Sequence, residues 1–182
     1  MPQRAADLAR TAGRDAIAML AHGWRGGAHA ADGTLNAGLA EFDYAVALGR
    51  ELGVPPPANV LTFHALTLYW LGRLDEAVER SRAGVEAARA ANDPSVLMYS
   101  LPHLGLALAA RGRYAEALLV FEEARCFGGE YGIYNLLAPS IAMSTGFRLD
   151  LGDFAGAEHL STPCGAGTSD AQNAWSSRSR AW

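Results

Sequence analysis

The chain contains no lysine; all 15 of its basic residues are arginine. That excludes a P-loop lysine or a Schiff-base lysine within this sequence. Cysteine is scarce: Cys126 and Cys164 are the only two, and they form no CxxC. Such usage fits reduced thiols in a cytoplasmic protein. No run of 18 apolar residues occurs, so no membrane span is expected. The first twenty residues lack the apolar h-region of a signal peptide. The formal net charge is −4, and no arginine cluster stands out before residue 178. A direct nucleic-acid surface is therefore not expected.

What is present is alanine and a period. Half of the 182 residues are hydrophobic and 36 are alanine, which favours helix and supplies enough apolar side chains for a continuous core. Leu71-Gly72-Arg73-Leu74-Asp75-Glu76-Ala77 is matched by Arg111-Gly112-Arg113-Tyr114-Ala115-Glu116-Ala117, and again by Leu151-Gly152-Asp153-Phe154-Ala155-Gly156-Ala157. A weaker copy begins at Gly33 and places Gly38 where the others have alanine. Ala77, Ala117 and Ala157 are 40 residues apart. A fixed period in this range marks a stacked repeat array. Each copy reads as two helices joined at a glycine able to adopt the left-handed conformation that ends a helix. Small residues (Ala65, Gly105, Ala77, Ala117) sit where helices must come close, and in the clearest copy Ala117, Phe121 and Ala124 share one stripe.

Leu101, Leu104, Gly105, Leu108, Ala117, Phe121 and Ala124 fall on the spacing of the tetratricopeptide (TPR) family, which the chain resembles over roughly residues 4 to 160. Two departures stand out. The period is about 40 rather than the 34 of that family, and the proline near the repeat end is missing. The longer copies resemble the TPR-like arrays of large bacterial ATP-dependent transcriptional regulators of the MalT/LuxR type. Similar arrays follow some class III nucleotide cyclase domains. The resemblance implies an all-α fold, an α-solenoid of antiparallel helix pairs wound as a right-handed superhelix.

Taken in order, residues 4 to 12 read as the end of a second helix, so that the chain starts inside a repeat. Helices are expected over 15–31 and 34–52. Val54-Pro55-Pro56-Pro57 then breaks the chain. The second pair is expected over 58–71 and 74–91, ending at Asn92-Asp93-Pro94 with Ser95 as the next cap. The third spans 95–111 and 114–127; Pro102 should kink its first helix or mark a shifted start, and Gly128-Gly129 should end its second. A fourth pair begins over 133–151 and 154–160. Residues 161–182, rich in Ser, Gly, Ala and Thr, read as a disordered tail. Neither end of the 1–160 array carries the polar cap of a finished solenoid, so a fragment of a longer protein, or a truncated reading frame with a foreign tail, is expected.

Candidate chemistry is thin. His64 and His103 lie 39 apart on neighbouring first helices, but no HExxH or nearby acid makes a metal or catalytic pair. His22, His29 and His159 stand equally alone. Asp75, Glu76, Glu116, Glu122 and Glu123 suit second-helix starts and outer faces better than acid/base work. Cys164-Gly165-Ala166-Gly167-Thr168-Ser169 lacks the full phosphate-loop pattern. Neither an enzyme nor a bound cofactor or metal is expected.

In the TPR family the first helices line a concave groove. By that resemblance the partner-binding face comprises Asn59, Thr62, Leu66, Tyr69, Trp70, Tyr99, Pro102 and Leu106. The competing reading has Tyr69 and Trp70 only covering the next helix pair. The resemblance implies a non-enzymatic binding segment of a bacterial transcriptional regulator, whose partner is a protein, a peptide or a small-molecule effector. A free-standing peptide-binding adaptor, the regulatory segment of a cyclase and an enzyme on an α/α scaffold are the alternatives.

Overall fold

Glycine and proline set most of the helix ends. The computed structural model describes residue 4 and residues 14–131 and 134–159. Its eight helices among those residues are α1 (Asp15–Ala31), α2 (Leu35–Leu52), α3 (Ala58–Trp70), α4 (Leu74–Ala90), α5 (Pro94–Ala110), α6 (Tyr114–Tyr131), α7 (Tyr134–Asp150) and α8 (Phe154–His159). No strand occurs among the described residues. The helices pack in adjacent pairs: α1 with α2, α3 with α4, α5 with α6, α7 with α8. The first helix of each pair also touches the first helix of the next. The expected stretch 4–12, apart from residue 4, and the expected tail lie outside the described residues.

The six described junctions share one hydrogen-bond pattern. At α3–α4, Gly72 N donates to Tyr69 O at 3.0 Å and Arg73 N donates to Leu68 O at 2.9 Å. Gly112 and Arg113 repeat this at α5–α6, Gly33 and Thr34 at α1–α2, and Gly152 and Asp153 at α7–α8. These two bonds close the last helical carbonyls and need a left-handed residue at the turn. Five glycines with φ between 65° and 77° supply it, and Asn92, with φ 50°, supplies it between α4 and α5.

In five of the six, the residue after the left-handed one also opens the next helix. Thr34, Arg73, Asp93, Arg113 and Asp153 each offer their carbonyl to the first helical N–H that follows. These junctions hold no spare residue. Only Gly53 differs, because Val54-Pro55-Pro56-Pro57 separates it from α3.

Three expectations change. Asp93, not Ser95, caps α5: its carboxylate accepts from Val96 N at 3.0 Å, and Pro94 takes the first helical position, where its missing N–H costs nothing. Pro102 neither starts nor ends a helix; α5 runs through it. Its ring is buried beside Leu101 and Leu104, and that apolar burial offsets a lost backbone bond. Gly128-Gly129 does not end α6, which continues to Tyr131. Glycine weakens a helix without stopping it unless its φ turns positive, and neither of these does.

The core forms two clusters. Ala18, Met19, Phe42, Ala45 and Leu48 of the first pair make the smaller one with Val60 of α3. A larger cluster runs from Leu68 through Leu101 and Leu108 to Phe121 and Ala124. Glycine makes room for phenylalanine in both. A Cβ on Gly26 would lie 2.8 Å from the Phe42 ring, and one on Gly105 would lie 2.7 Å from Phe121. The equivalent positions between them are Ala65 and Ser81, where a small partner lets the first helix keep its methyl group.

Two expectations follow for urea unfolding. Gly105→Ala should destabilise by about 1–3 kcal/mol through overpacking. In a Phe121→Ser background, which restores the Ala/Ser pairing of the middle unit, the same change should be near neutral. Additive effects would show that the ring does not set the requirement. Gly112→Ala should cost about 1–2 kcal/mol at its left-handed turn, whereas Gly129→Ala, helical and in open space, should stabilise by up to about 1 kcal/mol.

Candidate functional site: the uncharged first-helix face

Charge is segregated along the chain. α3 and α5 contain no Asp, Glu or Arg, whereas α4 between them carries Asp75, Glu76, Glu79, Arg80, Arg82, Glu86 and Arg89. α4 can therefore face water, while α3 and α5 present an apolar and aromatic side.

The expected binding residues divide on this surface. Trp70 is 50% exposed and Tyr99 39%. Asn59, Leu66, Tyr69 and Leu106 are half-buried, and Tyr69 rests against the larger core cluster. Thr62 and Pro102 are buried and face neighbouring helices. Thr62 Oγ1 lies 2.9 Å from Ala58 O and 2.7 Å from Ser100 Oγ, and Ser100 Oγ lies 2.8 Å from Val96 O. One hydroxyl donates to the other, which donates to its own helix, so the pair ties α3 to α5 with no donor left over.

Three surface residues were not among those expected. Phe63 lies beside Tyr99, with ring centroids 5.6 Å apart, and Tyr99 lies 5.0 Å from His103. The His103 ring is held by its Nδ1, 2.6 Å from Tyr99 O. Trp24 on α1 is 69% exposed. Trp24, Phe63 and His103 are spaced at 39 and 40 residues, so the period itself carried the signal. Asn59, Phe63, Leu66 and Trp70 follow the three- and four-residue steps of a single helical stripe; Tyr99, His103 and Leu106 do the same on α5.

Asp75, Glu76, Glu116, Glu122 and Glu123 are all engaged in ion pairs. Asp75 meets Arg111 at 2.6 Å, Glu123 meets Arg89, and Glu122 meets Arg125. Arg73 and Arg113 each grip the glutamate three residues on, Glu76 and Glu116, through two bonds of 2.6–2.7 Å. Those hydrogen bonds hold both carboxyls below their usual range. No group of three metal-ligating side chains occurs among the described residues, and no described helix is long and apolar enough to cross a membrane. The expectation of free thiols is corrected at Cys126, which is disulfide-bonded. Cys164 lies outside the described residues.

His64 and His103 do not share a site. His64 is 1% exposed and stacks on Phe42 at 5.7 Å. Its Nε2 lies 3.2 Å from Asp43 Oδ1, and its Nδ1 is buried without a partner. Burial, then the charges of Arg80 and Arg73, lower its pKa to about 4. Asp43 does little to reverse this because its carboxylate is 61% exposed and well solvated.

An unfolded histidine takes its proton near pH 6.5, whereas folded His64 resists until about pH 4. Stability therefore falls as pH drops through that window. Between pH 7.5 and 5 the loss from this group should be about 2 kcal/mol. Chemical unfolding of His64→Leu across the same range should lose that part of the slope; an unchanged slope would assign the dependence elsewhere.

No family model matches the chain, and no curated protein matches it.

Proposed function

We propose that the chain is a non-enzymatic binding scaffold, a TPR-like α-solenoid with a period of about 40 residues. It would serve as the sensor or interaction segment of a bacterial transcriptional regulator working in the cytoplasm, with a protein, peptide or small-molecule effector as partner. The observation that carries this reading is the uncharged face of α3 and α5, on which Trp70 and Tyr99 stand exposed, with Trp24 exposed on α1. Large aromatic rings on a rigid surface gain contact area at little entropic cost, which makes them good anchors. The recurring turns at Gly33, Gly72, Gly112 and Gly152 support the repeat reading. First helices that touch their successors would bring these anchors onto one side of the array.

In this reading a partner lies along the first helices and shifts the packing of neighbouring pairs. It can do so only by as much as its affinity differs between the two arrangements.

The test is a displayed peptide library panned against the full chain. Selected peptides should bind Trp70→Ala and Tyr99→Ala about tenfold or more weakly, as loss of an anchor contact requires. They should bind Leu119→Ala, an exposed apolar change on the second helix α6, as well as the parent. Peptides indifferent to Trp70 and Tyr99, or no selection at all, would remove this face as the binding surface.

A further inference from the structure

On the second-helix side, a shallow depression of about 380 Å³ opens beside the triple-proline linker. Its apolar surface comes from Val46, Val54, Pro55, Pro56 and Leu61, and its charge comes from Arg50 and Arg80. We propose that it binds a small carboxylate with an apolar body.

Three observations carry this. First, the two guanidiniums lack the ion pairs that most described arginines make. Eight described arginines lie within ion-pair distance of a carboxylate. Arg50 and Arg80 make no ion pair among the described residues, and both border this depression.

Second, no acidic side chain lines it. Glu79, next to Arg80 in sequence, borders a different cleft with Asp75, Arg82 and Arg111. Arg80 is half-buried, and Glu76, the carboxylate that feels its charge, is already gripped by Arg73 through two hydrogen bonds. A bound carboxylate would supply two acceptor oxygens, matched to the donor fork of a guanidinium.

Third, the apolar wall is stiff. Proline has no free φ and carries little side-chain entropy, so Pro55 and Pro56 present a surface that need not be ordered on binding. The volume suits a ligand of roughly ten heavy atoms better than a polymer, since pockets of a few hundred cubic ångströms hold small molecules. The depression draws on α2, the linker, α3 and α4, so its occupant would touch both of the first two helix pairs. It lies apart from the aromatic first-helix face and does not rest on the function proposed above.

The probe is sodium benzoate, titrated into the full ¹⁵N-labelled chain while the amides of Gly53 and Val54 are followed by NMR. Saturable shifts are expected with benzoate and none with benzyl alcohol, which has the ring without the charge. Arg50→Gln and Arg80→Gln should each weaken binding about tenfold, as loss of a charge-assisted pair implies. Arg82→Gln, at the other cleft, should leave it unchanged. Arg50 is exposed, so its variant decides the matter even where Arg80→Gln fails to fold. No saturable shift at millimolar benzoate, equal shifts with benzyl alcohol, or unchanged binding in Arg50→Gln would each overturn the proposal.

Discussion

A helix that ends in a left-handed residue turns its chain aside within two residues, and the six described junctions are built that way. The bonds that close one helix fix where the next begins. At five junctions the residue that completes the closing bond also opens the following helix, so the relative placement of two helices is settled by local chemistry before any core packing. Distant side chains then only have to fit a frame already set. Gly26 and Gly105 show what fitting means: each surrenders a methyl group so that Phe42 or Phe121 can fill the gap between helices.

The same frame explains where polar groups are found. With most charge on the second helices, the first helices can pack against one another at little desolvation cost. The polar groups that remain inside are handled individually. Thr62 and Ser100 share one hydroxyl hydrogen bond, and whichever accepts in it donates to its own helix. His64 stays neutral, with Asp43 at one nitrogen and nothing at the other. That nitrogen is buried where the first two pairs meet, His64 being stacked on Phe42 of the preceding pair.

Much of the helix order was legible in the sequence because glycine and proline act locally. Gly72, Gly112 and Gly152 mark turns in the sequence for the same reason they adopt positive φ in the fold. The misreadings come where a local rule met a tertiary or neighbouring effect. Gly128 and Gly129 read as a stop, but a glycine without a positive φ leaves its helix intact. Pro102 read as a kink or a shifted start; α5 starts at Pro94 and runs through it. Ser95 read as a cap, but Asp93 had the earlier position and the stronger acceptor. Within the candidate face, Trp70 and Tyr99 stand exposed, whereas Thr62 and Pro102 are buried. A helix carrying apolar residues on almost every side, as α3 and α5 do, gives periodicity little power to separate the face toward solvent from the face toward a neighbour. Phe63 and His103 come into view only when equivalent positions are compared across copies.

The junctions that share one residue between two helices also bear on how the gene can change. Adding or deleting a residue there would turn the next helix by about 100° relative to its predecessor and carry all later helices with it, since an α-helix turns once in 3.6 residues. Length changes at Arg73, Asp93 or Arg113 would thus be paid across the whole core. Val54 to Pro57 is the one described connection that owes no bond to both neighbours at once. It is where an inserted tag, a split site or a natural length variant would do least harm.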